Sequence, residues 1–270
     1  MNELEGKVAV ITGAASGIGQ GMRVVMADIE DDALEVAAKE VGASGAKVLA
    51  VRTDVSKGAA VDALAARTVE EFGTFHVVCN NAGVGAGGTM WELSEADWAW
   101  VLGVNLWGVI HGIRAFVPRL VEQNEGHVVN TGSIAGLTSA PMMGPYNASK
   151  HAVVTISETL QRELALNALA VRVSVLCPGF VQTRIAESDR NRPDHLRNPV
   201  EPEMNKVGRE LLKQIVASGL PAAEVACQVV DAVKHERFYV LPHPEMKSIV
   251  RTRMDDILEE RSPAAEFFFA

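Results

Sequence analysis

A chain of 270 residues with 48% hydrophobic and 22% charged residues is long enough for one large domain, and this composition excludes a disordered chain. The formal net charge of −9 and the lack of a dense Lys/Arg run argue against a nucleic-acid-binding protein. No uncharged apolar run approaches the roughly 18 residues that suggest a membrane span, so no membrane partner is expected.

The N-terminal sequence and the cysteines together predict a cytoplasmic protein. The segment "MNELEGKVAVITG" runs directly into a strand-like stretch and leaves no room for a signal peptide. Cys79, Cys177 and Cys227 lie far apart and lack the CxxC or CxxH spacing of metal sites. We therefore expect reduced thiols, no disulfide and no bound metal ion.

Short Val-rich segments alternate with segments of helical period along the chain. The Val-rich segments are nearly continuous in hydrophobicity, which is typical of strands buried on both faces. This alternation predicts a single α/β domain over residues 1–270, with a Rossmann-like, doubly wound parallel sheet of about seven strands and helices on both faces. In chain order the strand-like segments are "KVAVIT", "MRVVMAD", "AKVLAVRTD", "FHVVCNNAG", "GHVVNTGS", "VRVSVLCPG" and "RFYVLP".

A glycine-rich turn follows the first strand. Gly13, Gly17 and Gly19 stand where glycines let the backbone approach a pyrophosphate at a helix start. Asp28 ends the second strand, where its carboxylate can bind the adenosine ribose hydroxyls and repel a 2′-phosphate. No cation stands at Ser16 or directly after Asp28, so the pattern predicts NAD rather than NADP. The alternative for Asp28, a solvated carboxylate at a strand end, stays open.

The connection between this turn and the second strand is too short for the usual helix. Only four residues separate Gly19 from Val24, and four helical residues rise about 6 Å against the roughly 17–20 Å length of a strand. We expect that a helix of two to three turns is missing between Gly19 and Gly21. Either the chain has a true deletion, or a segment of about ten residues was omitted from the sequence. A true deletion would favour a non-catalytic cofactor-sensing or scaffold protein.

The segment "SIAGLTSAPMMGPYNASK" contains the candidate catalytic groups. Tyr146 and Lys150 are four residues apart in a stretch of helical period, so they share one helix face. An ammonium close to a phenol lowers the pKa of the phenol from about 10. Tyr146 could then exchange a proton with an alcohol or a ketone while a nicotinamide exchanges hydride with it, and Ser133 could hold the reacting oxygen. Taken alone, Tyr146 and Lys150 could also be an ordinary exposed pair on a helix.

These motifs resemble those of the short-chain dehydrogenase/reductase family over nearly the whole chain. "TGAASGIG" resembles its cofactor turn, "NNAG" its adenine-side motif, and "PGFVQT" the segment beside the nicotinamide. The resemblance implies an oxidoreductase in which Ser133, Tyr146, Lys150 and Asn105 are catalytic. It also implies a proton relay from Tyr146 through the ribose hydroxyls and Lys150 to a water held by the main chain near Asn105. The implied cofactor contacts are Gly13, Ser16, Gly17, Ile18, Gly19, Asp28, Asp54, Val55, Asn81, Ala82, Gly83, Tyr146, Lys150, Pro178, Gly179, Val181 and Thr183. The alternative for Asn105, a polar helix residue satisfied internally, stays open.

The expected substrate is a small hydrophobic secondary alcohol or ketone. Leu137, Met142 and Met143 suggest an adaptable apolar pocket, although core packing by the same residues is equally compatible with the pattern. Residues 183–216 begin with a polar, proline-bearing stretch that predicts a substrate lid.

Assembly is expected from the aromatic residues and from the resemblance. Trp91 and Trp98 are seven residues apart, as are Trp100 and Trp107, and this spacing repeats one helix face, at an interface or in the core. The resemblance implies a homotetramer, with a dimer as the alternative. The tail, residues 261–270, contains three consecutive Phe residues that we expect to dock on a neighbouring subunit.

Overall fold

The computed structural model describes residues 1, 3–14, 22–199 and 203–263, of which 203–207 by backbone only. Nine strands are present in this part of the chain. Seven form the main sheet, and β7 and β8 form a separate parallel pair. The strands are β1 (Val8–Thr12), β2 (Arg23–Asp28), β3 (Val48–Arg52), β4 (Val77–Asn80), β5 (Gly126–Thr131), β6 (Val171–Leu176), β7 (Val181–Gln182), β8 (Leu220–Pro221) and β9 (Tyr239–Val240).

The main sheet has the strand order β3-β2-β1-β4-β5-β6-β9, and every neighbouring pair is parallel. The chain adds strands on one side of β1 as far as β3 and then continues with β4 on the other side. The winding therefore reverses between β1 and β4, and ligands of open α/β sheets bind at the carboxyl ends of the strands at such a point. The predicted doubly wound, Rossmann-like sheet of about seven strands is confirmed.

Helices cover both faces of the sheet. They are α1 (Asp31–Ala43), α2 (Gly58–Phe72), α3 (Glu95–Leu102), α4 (Gly108–Glu122), α5 (Gly144–Leu166), α6 (Glu203–Ala217), α7 (Ala222–Lys234) and α8 (Lys247–Leu258). The side chains of β1 alternate between the two faces, so Val8 and Val10 pack with α2, α4 and α5, whereas Ala9 and Ile11 pack with α1 and α7. Gly73 ends α2 in a left-handed conformation with φ of 77°.

Strands β1 and β2 are consecutive in the chain and adjacent in the sheet. Their parallel register places Thr12 opposite Ala27, and beyond β1 the Ala14 N–H still donates to the Ala27 carbonyl at 3.2 Å. No helix occurs between the two strands in the described residues. Residues 15–21 lie outside the described part. The predicted loss of a helix between Gly19 and Gly21 falls within them and stays a prediction.

A π-helical turn, Gly103–Trp107, joins α3 to α4. Such a turn inserts one extra residue into the helix, so residues seven apart across it no longer share a face. Trp100 is 3% exposed and packs with Val84 and Val101, whereas Trp107 is 51% exposed. The prediction that the tryptophans repeat one face is therefore wrong across this turn. Trp91 is also exposed, and an interface role for Trp91 and Trp107 stays a prediction.

The continuous helical stretch Glu95–Glu122 is long and apolar enough, by length and composition only, to cross a membrane. Core helices of globular proteins meet the same criterion. In this helical stretch, 44% of the most apolar 18 residues is buried inside the protein. On its buried side Phe116 packs against the sheet, Asn105 bonds Ser149 on α5, and Trp100 packs with Val84 and Val101.

Candidate active site

The carboxyl ends of the central strands open into one cavity of about 1030 Å³. Ser133, Tyr146 and Lys150 line this cavity, as do all the predicted cofactor contacts that fall within the described residues. Ser16, Gly17, Ile18 and Gly19 lie outside those residues. The predicted contacts on the cavity wall are Gly13, Asp28, Asp54, Val55, Asn81, Ala82, Gly83, Tyr146, Lys150, Pro178, Gly179, Val181 and Thr183.

Asn81 joins the ends of three strands at the reversal point of the sheet. Its amide nitrogen donates to the Thr12 carbonyl at 3.1 Å and the Gly13 carbonyl at 3.3 Å, and its amide oxygen accepts from Thr131 at 3.1 Å. Gly13 has φ of 65°, and a Cβ there would lie 2.8 Å from the Ala82 Cα. Only glycine fits this close approach of two backbones, so the start of the predicted glycine turn is built as expected.

Asp28 and Asp54 mark the adenosine end of the cavity. Asp28 is partly exposed, and one of its carboxylate oxygens accepts the Glu30 N–H at 3.1 Å. One Asp54 oxygen accepts both the N–H and the hydroxyl of Ser56, at 3.0 and 2.7 Å. Both carboxylates are therefore oriented by short local hydrogen bonds while they line the cavity, and their predicted contacts with the adenosine part of a cofactor stay predictions.

Tyr146, Lys150 and Ser133 come together at the other end of the cavity. Lys150 is 2% exposed, its Nζ donates to the Thr131 carbonyl at 2.8 Å, and the same Nζ lies 5.5 Å from the centre of the Tyr146 ring. The Ser133 hydroxyl accepts the Ala135 N–H at 3.1 Å, which orients it at the end of β5. The structure thus brings together the three residues that the sequence motif predicted as one group.

The pKa values of this group differ from the expectation. Burial raises the pKa of Tyr146 above its ordinary value, and a hydrogen bond with Ser133 lowers it by a smaller amount. Burial also lowers the pKa of Lys150 to about 8. In the ligand-free site burial outweighs any lowering of the pKa of the phenol, and the effect of the Lys150 ammonium with a cofactor bound stays a prediction. Removal from water disfavours the phenolate directly, whereas the ammonium faces the Thr131 carbonyl.

Asn105 lies in the π-helical turn with a fully buried side chain. Its oxygen accepts the Val84 N–H at 2.8 Å, and its nitrogen donates to the Val84 carbonyl at 2.9 Å and to the Ser149 hydroxyl at 3.2 Å. Ser149 in turn donates to the Tyr146 carbonyl at 2.7 Å. The side chain is thus used internally, and it ties the segment after β4 to the helix that bears Tyr146 and Lys150.

His243 is a residue next to the site that no sequence motif indicates. Its Nδ1 accepts the Gly179 N–H at 3.0 Å, and its Nε2 lies 3.0 Å from the Phe180 carbonyl oxygen. The buried side chain therefore contacts the main chain at both ends of the two-residue segment Gly179–Phe180, beside which the nicotinamide is expected. The contact spans more than sixty residues, so no local pattern indicates it.

Segments of the predicted lid line the cavity and contact its rim at two places. At one, the buried Arg192 pairs with the buried Asp97 at 2.8 Å and lies over the Trp100 ring at 5.0 Å. At the other, Arg190 pairs with Glu30. The lid includes the 3₁₀ turns Ile185–Asn191 and Asp194–Leu196 and continues into α6. Residues 200–202 within it lie outside the described part.

The apolar residues before Tyr146 divide between cavity and core. Met142 and Met143 line the cavity. Leu137 instead packs against the cluster of Val154, Val175 and Cys177. The two methionines are therefore candidates for the substrate wall, and Leu137 is a packing residue.

Within the described residues, no three His, Cys, Asp or Glu side chains converge as a metal site. Cys79 and Cys177 are buried free thiols, and burial raises the pKa of each to about 12. Neither thiol is therefore a nucleophile near neutral pH.

Residues 7–194 match the family model described as short chain dehydrogenase. The chain is 33% identical to a CLA biosynthesis dehydrogenase/reductase of Lactiplantibacillus plantarum, over 97% of each chain. It is 35% identical to a 1-deoxy-11-beta-hydroxypentalenate dehydrogenase of Streptomyces exfoliatus, over 94% of this chain and 89% of the relative.

A solved structure from Burkholderia phymatum is similar over the full length of both chains, with 48% identity and a TM-score of 0.96. That structure is of a short chain dehydrogenase/reductase in complex with NAD. The similarity therefore includes the segments of the chain that line the cavity.

Proposed function

The chain belongs to the short chain dehydrogenase family and is an oxidoreductase acting on alcohol and ketone groups, and from this premise we propose that it transfers hydride between NAD(H) and a hydrophobic secondary alcohol or ketone. The observation that supports the proposal most directly is that one cavity is lined both by Tyr146, Lys150 and Ser133 and by the cofactor contacts from Gly13 to Thr183. A non-catalytic scaffold would have no need to keep the two sets together.

A nicotinamide dinucleotide fits this cavity and, when bound, supplies the hydride acceptor or donor. Side chains of the protein transfer the proton and form hydrogen bonds with the reacting oxygen. Tyr146 gives a proton to a ketone oxygen or takes one from an alcohol at its phenol oxygen, and the Ser133 hydroxyl donates to the same oxygen. Because burial raises the pKa of Tyr146, the phenol is in its proton-donating form at neutral pH, as ketone reduction requires.

NAD is proposed over NADP on the charges at the adenosine end. Asp28 and Glu30 both line the cavity there, only two residues apart. The Asp28 carboxylate can accept hydrogen bonds from the ribose hydroxyls and repels a 2′-phosphate, whereas the charge of Glu30 is offset by its ion pair with Arg190.

The proposed substrate is apolar around its reacting carbon. Met142, Met143 and Trp100 line the cavity together with Val84 and Ala86. The relative from Streptomyces exfoliatus is named as a dehydrogenase of 1-deoxy-11-beta-hydroxypentalenate, a hydroxylated compound, which supports an alcohol as the group that this chain oxidises. We also propose a cytoplasmic homotetramer or dimer, in which the exposed Trp91 and Trp107 contact a second copy.

The chain contains two tyrosines, which provide a matched test of the proposal. Tyr146→Phe removes only the phenol oxygen and should lower turnover of secondary alcohols and ketones by about 10²- to 10⁴-fold, because general acid–base catalysis contributes about that much. Tyr239→Phe removes the same atom from a residue that bonds Glu158 away from the cavity, and should retain activity.

Turnover is followed by nicotinamide absorbance with a panel of secondary alcohols and ketones, and NADH binding is measured by calorimetry in parallel. Retained NADH binding by Tyr146→Phe would show that the loss concerns chemistry. Equal activity of the two variants, or no turnover of any substrate by the wild-type chain, would contradict the proposal.

A further inference from the structure

His243 holds the main chain of the segment after β6, beside which the nicotinamide is expected. Its side chain is 8% exposed, and both of its ring nitrogens are used. Nδ1 accepts the Gly179 N–H and Nε2 donates to the Phe180 carbonyl, each at 3.0 Å. This pair of partners fits the neutral ring with its proton on Nε2, because one nitrogen must accept and the other must donate.

The other side of the same peptide unit faces the candidate catalytic groups. The Pro178 carbonyl accepts the Ser133 hydroxyl at 3.4 Å and a main-chain N–H at 2.8 Å. The Ser133 side chain is also hydrogen-bonded to Tyr146. Because the carbonyl and the N–H of a trans peptide point in opposite directions, Ser133 and His243 hold the Pro178–Gly179 peptide between them.

The next residues of the segment are fixed by a neighbouring strand. The Phe180 carbonyl also accepts the Leu220 N–H at 3.0 Å, and the residue after it pairs with Leu220 where β7 pairs with β8. Gly179 lies between these anchors, and a Cβ on it would lie 3.1 Å from the His243 Cδ2. The ring of His243 thus fills the space beside Gly179 as well as bonding its N–H.

His243 reaches the cavity only through this segment. Pro178, Gly179 and Phe180 form part of the cavity wall, and His243 lies behind them. It begins the 3₁₀ turn Pro244–Met246, which leads into α8 and lies beyond the residues that match the family model. A part of the chain outside that region therefore supports the wall beside the expected nicotinamide.

We infer that His243 is a positioning residue for hydride transfer, which fixes the Pro178–Gly179 peptide so that the wall beside the nicotinamide keeps its place relative to Ser133 and Tyr146. The inference rests on the proposed use of a nicotinamide dinucleotide. Reacting atoms must approach to about 3–3.5 Å, and a misplacement of about 1 Å can lower a rate about 100-fold. A side chain that does not touch the cofactor therefore affects turnover when it holds the main chain beside it.

Two substitutions of His243 separate its hydrogen bonds from its packing. His243→Leu keeps an apolar side chain in the space but removes both bonds, and should lower kcat about 10- to 100-fold. It should weaken NADH binding about 3- to 10-fold and leave the affinity for ADP-ribose, which lacks the nicotinamide, unchanged. His243→Asn can place its amide oxygen where Nδ1 accepts the Gly179 N–H, and should restore kcat to within about 3-fold of the wild type.

His235→Leu is the matched control, because His235 is an exposed imidazole that bonds the Asp231 carbonyl away from the cavity. It should keep kcat and bind NADH and ADP-ribose as the wild type does. Turnover of a secondary alcohol is followed by nicotinamide absorbance, binding by calorimetry and folding by circular dichroism. If His243→Leu does not fold, His243→Asn is compared with His243→Gln, whose longer side chain reaches the Phe180 carbonyl instead, and the Asn variant should have the higher kcat.

Three results would overturn the inference while the wild type turns over its substrate. In the first, His243→Leu keeps the kcat of the control. In the second, His243→Leu binds NADH and ADP-ribose more weakly by the same factor, as a general loosening of the site would. In the third, His243→Asn is as slow as His243→Leu, or no faster than His243→Gln. No turnover by the wild type would overturn the proposed function together with this inference.

Discussion

Lys150 keeps an ammonium group almost out of contact with water, with one recorded hydrogen bond from its Nζ to the Thr131 carbonyl. A charged group in such a place is stabilised less than in water, and burial lowers the pKa of Lys150 to about 8. The neighbouring Tyr146 is shifted in the opposite direction, because its charged form is the deprotonated one. Burial therefore favours the uncharged form of both side chains, which is the protonated phenol of Tyr146 and the neutral amine of Lys150.

We predict that Lys150 titrates near pH 8 in the ligand-free protein, whereas exposed lysines titrate near 10.4. Between these two pH values the unfolded chain binds a proton that the folded chain does not. The contribution of Lys150 to the free energy of unfolding therefore rises as the pH increases through that window. The measurement is an NMR titration of ¹³C-labelled lysine side chains, with Lys150→Met used to assign the signal. A Lys150 signal that titrates with the exposed lysines would contradict the prediction.

Residue types and spacing were sufficient to predict several polar groups that the structure brings together in one cavity. Tyr146 and Lys150 are one helical turn apart, and Asp28 and Ser133 end strands, so local patterns indicate all four. Glu30, Arg190 and His243 could not be identified in this way. Their contacts join residues far apart in the chain, and such partners are determined by how the elements pack.

Asn105 shows how one buried side chain can connect several elements. It bonds both main-chain groups of Val84 after β4 and the Ser149 hydroxyl on α5, while its own backbone belongs to the π-helical turn. A π-helical turn widens the helix locally, and such turns are frequent at functional sites. The catalytic helix is therefore held against the segment that follows the cofactor motif.

We predict that Asn105→Ala lowers the free energy of unfolding by about 2–4 kcal/mol, because it leaves buried polar groups of Val84 without partners. Asn167→Ala is the control, since Asn167 makes one exposed bond to the Glu163 carbonyl at the end of the same catalytic helix. The control should change stability by less than about 0.5 kcal/mol. Urea denaturation of both variants measures the difference, and equal losses would show that the Asn105 bonds contribute nothing specific.

The strands and most helices were predictable because their patterns are strong and local. The Val-rich segments match β1 to β6. The side chains of all of these strands except β3, which lies at the edge of the sheet, are mostly buried, as parallel strands between two layers of helices require. The π-helical turn was not predictable, since no residue of "GVNLW" forces an extra residue into the turn. The seven-residue spacing of Trp100 and Trp107 was misleading for this reason.

At the scale of the molecule, both layers of helices pack on one sheet, and a single domain over the chain stays a prediction. We predict one cooperative unfolding transition that coincides for circular dichroism and for the fluorescence of the four tryptophans. NADH at about 100 times its Kd should raise the free energy of unfolding by about 2.7 kcal/mol, because it binds only the folded chain. Two separated transitions would contradict a single domain, and no stabilisation by NADH would contradict an intact cofactor site.

The brief connection between β1 and β2 also affects the order in which the fold assembles. Closing a loop costs entropy that grows with the logarithm of its length, so halving a connection saves about 0.6 kcal/mol. The other adjacent pairs of the main sheet join through longer segments that contain helices. Parallel sheets form slowly because their contacts are distant in the chain. Of the paired strands in the main sheet, β1 and β2 are the closest in the chain. We therefore expect these two strands to pair first and the remaining strands to add to them.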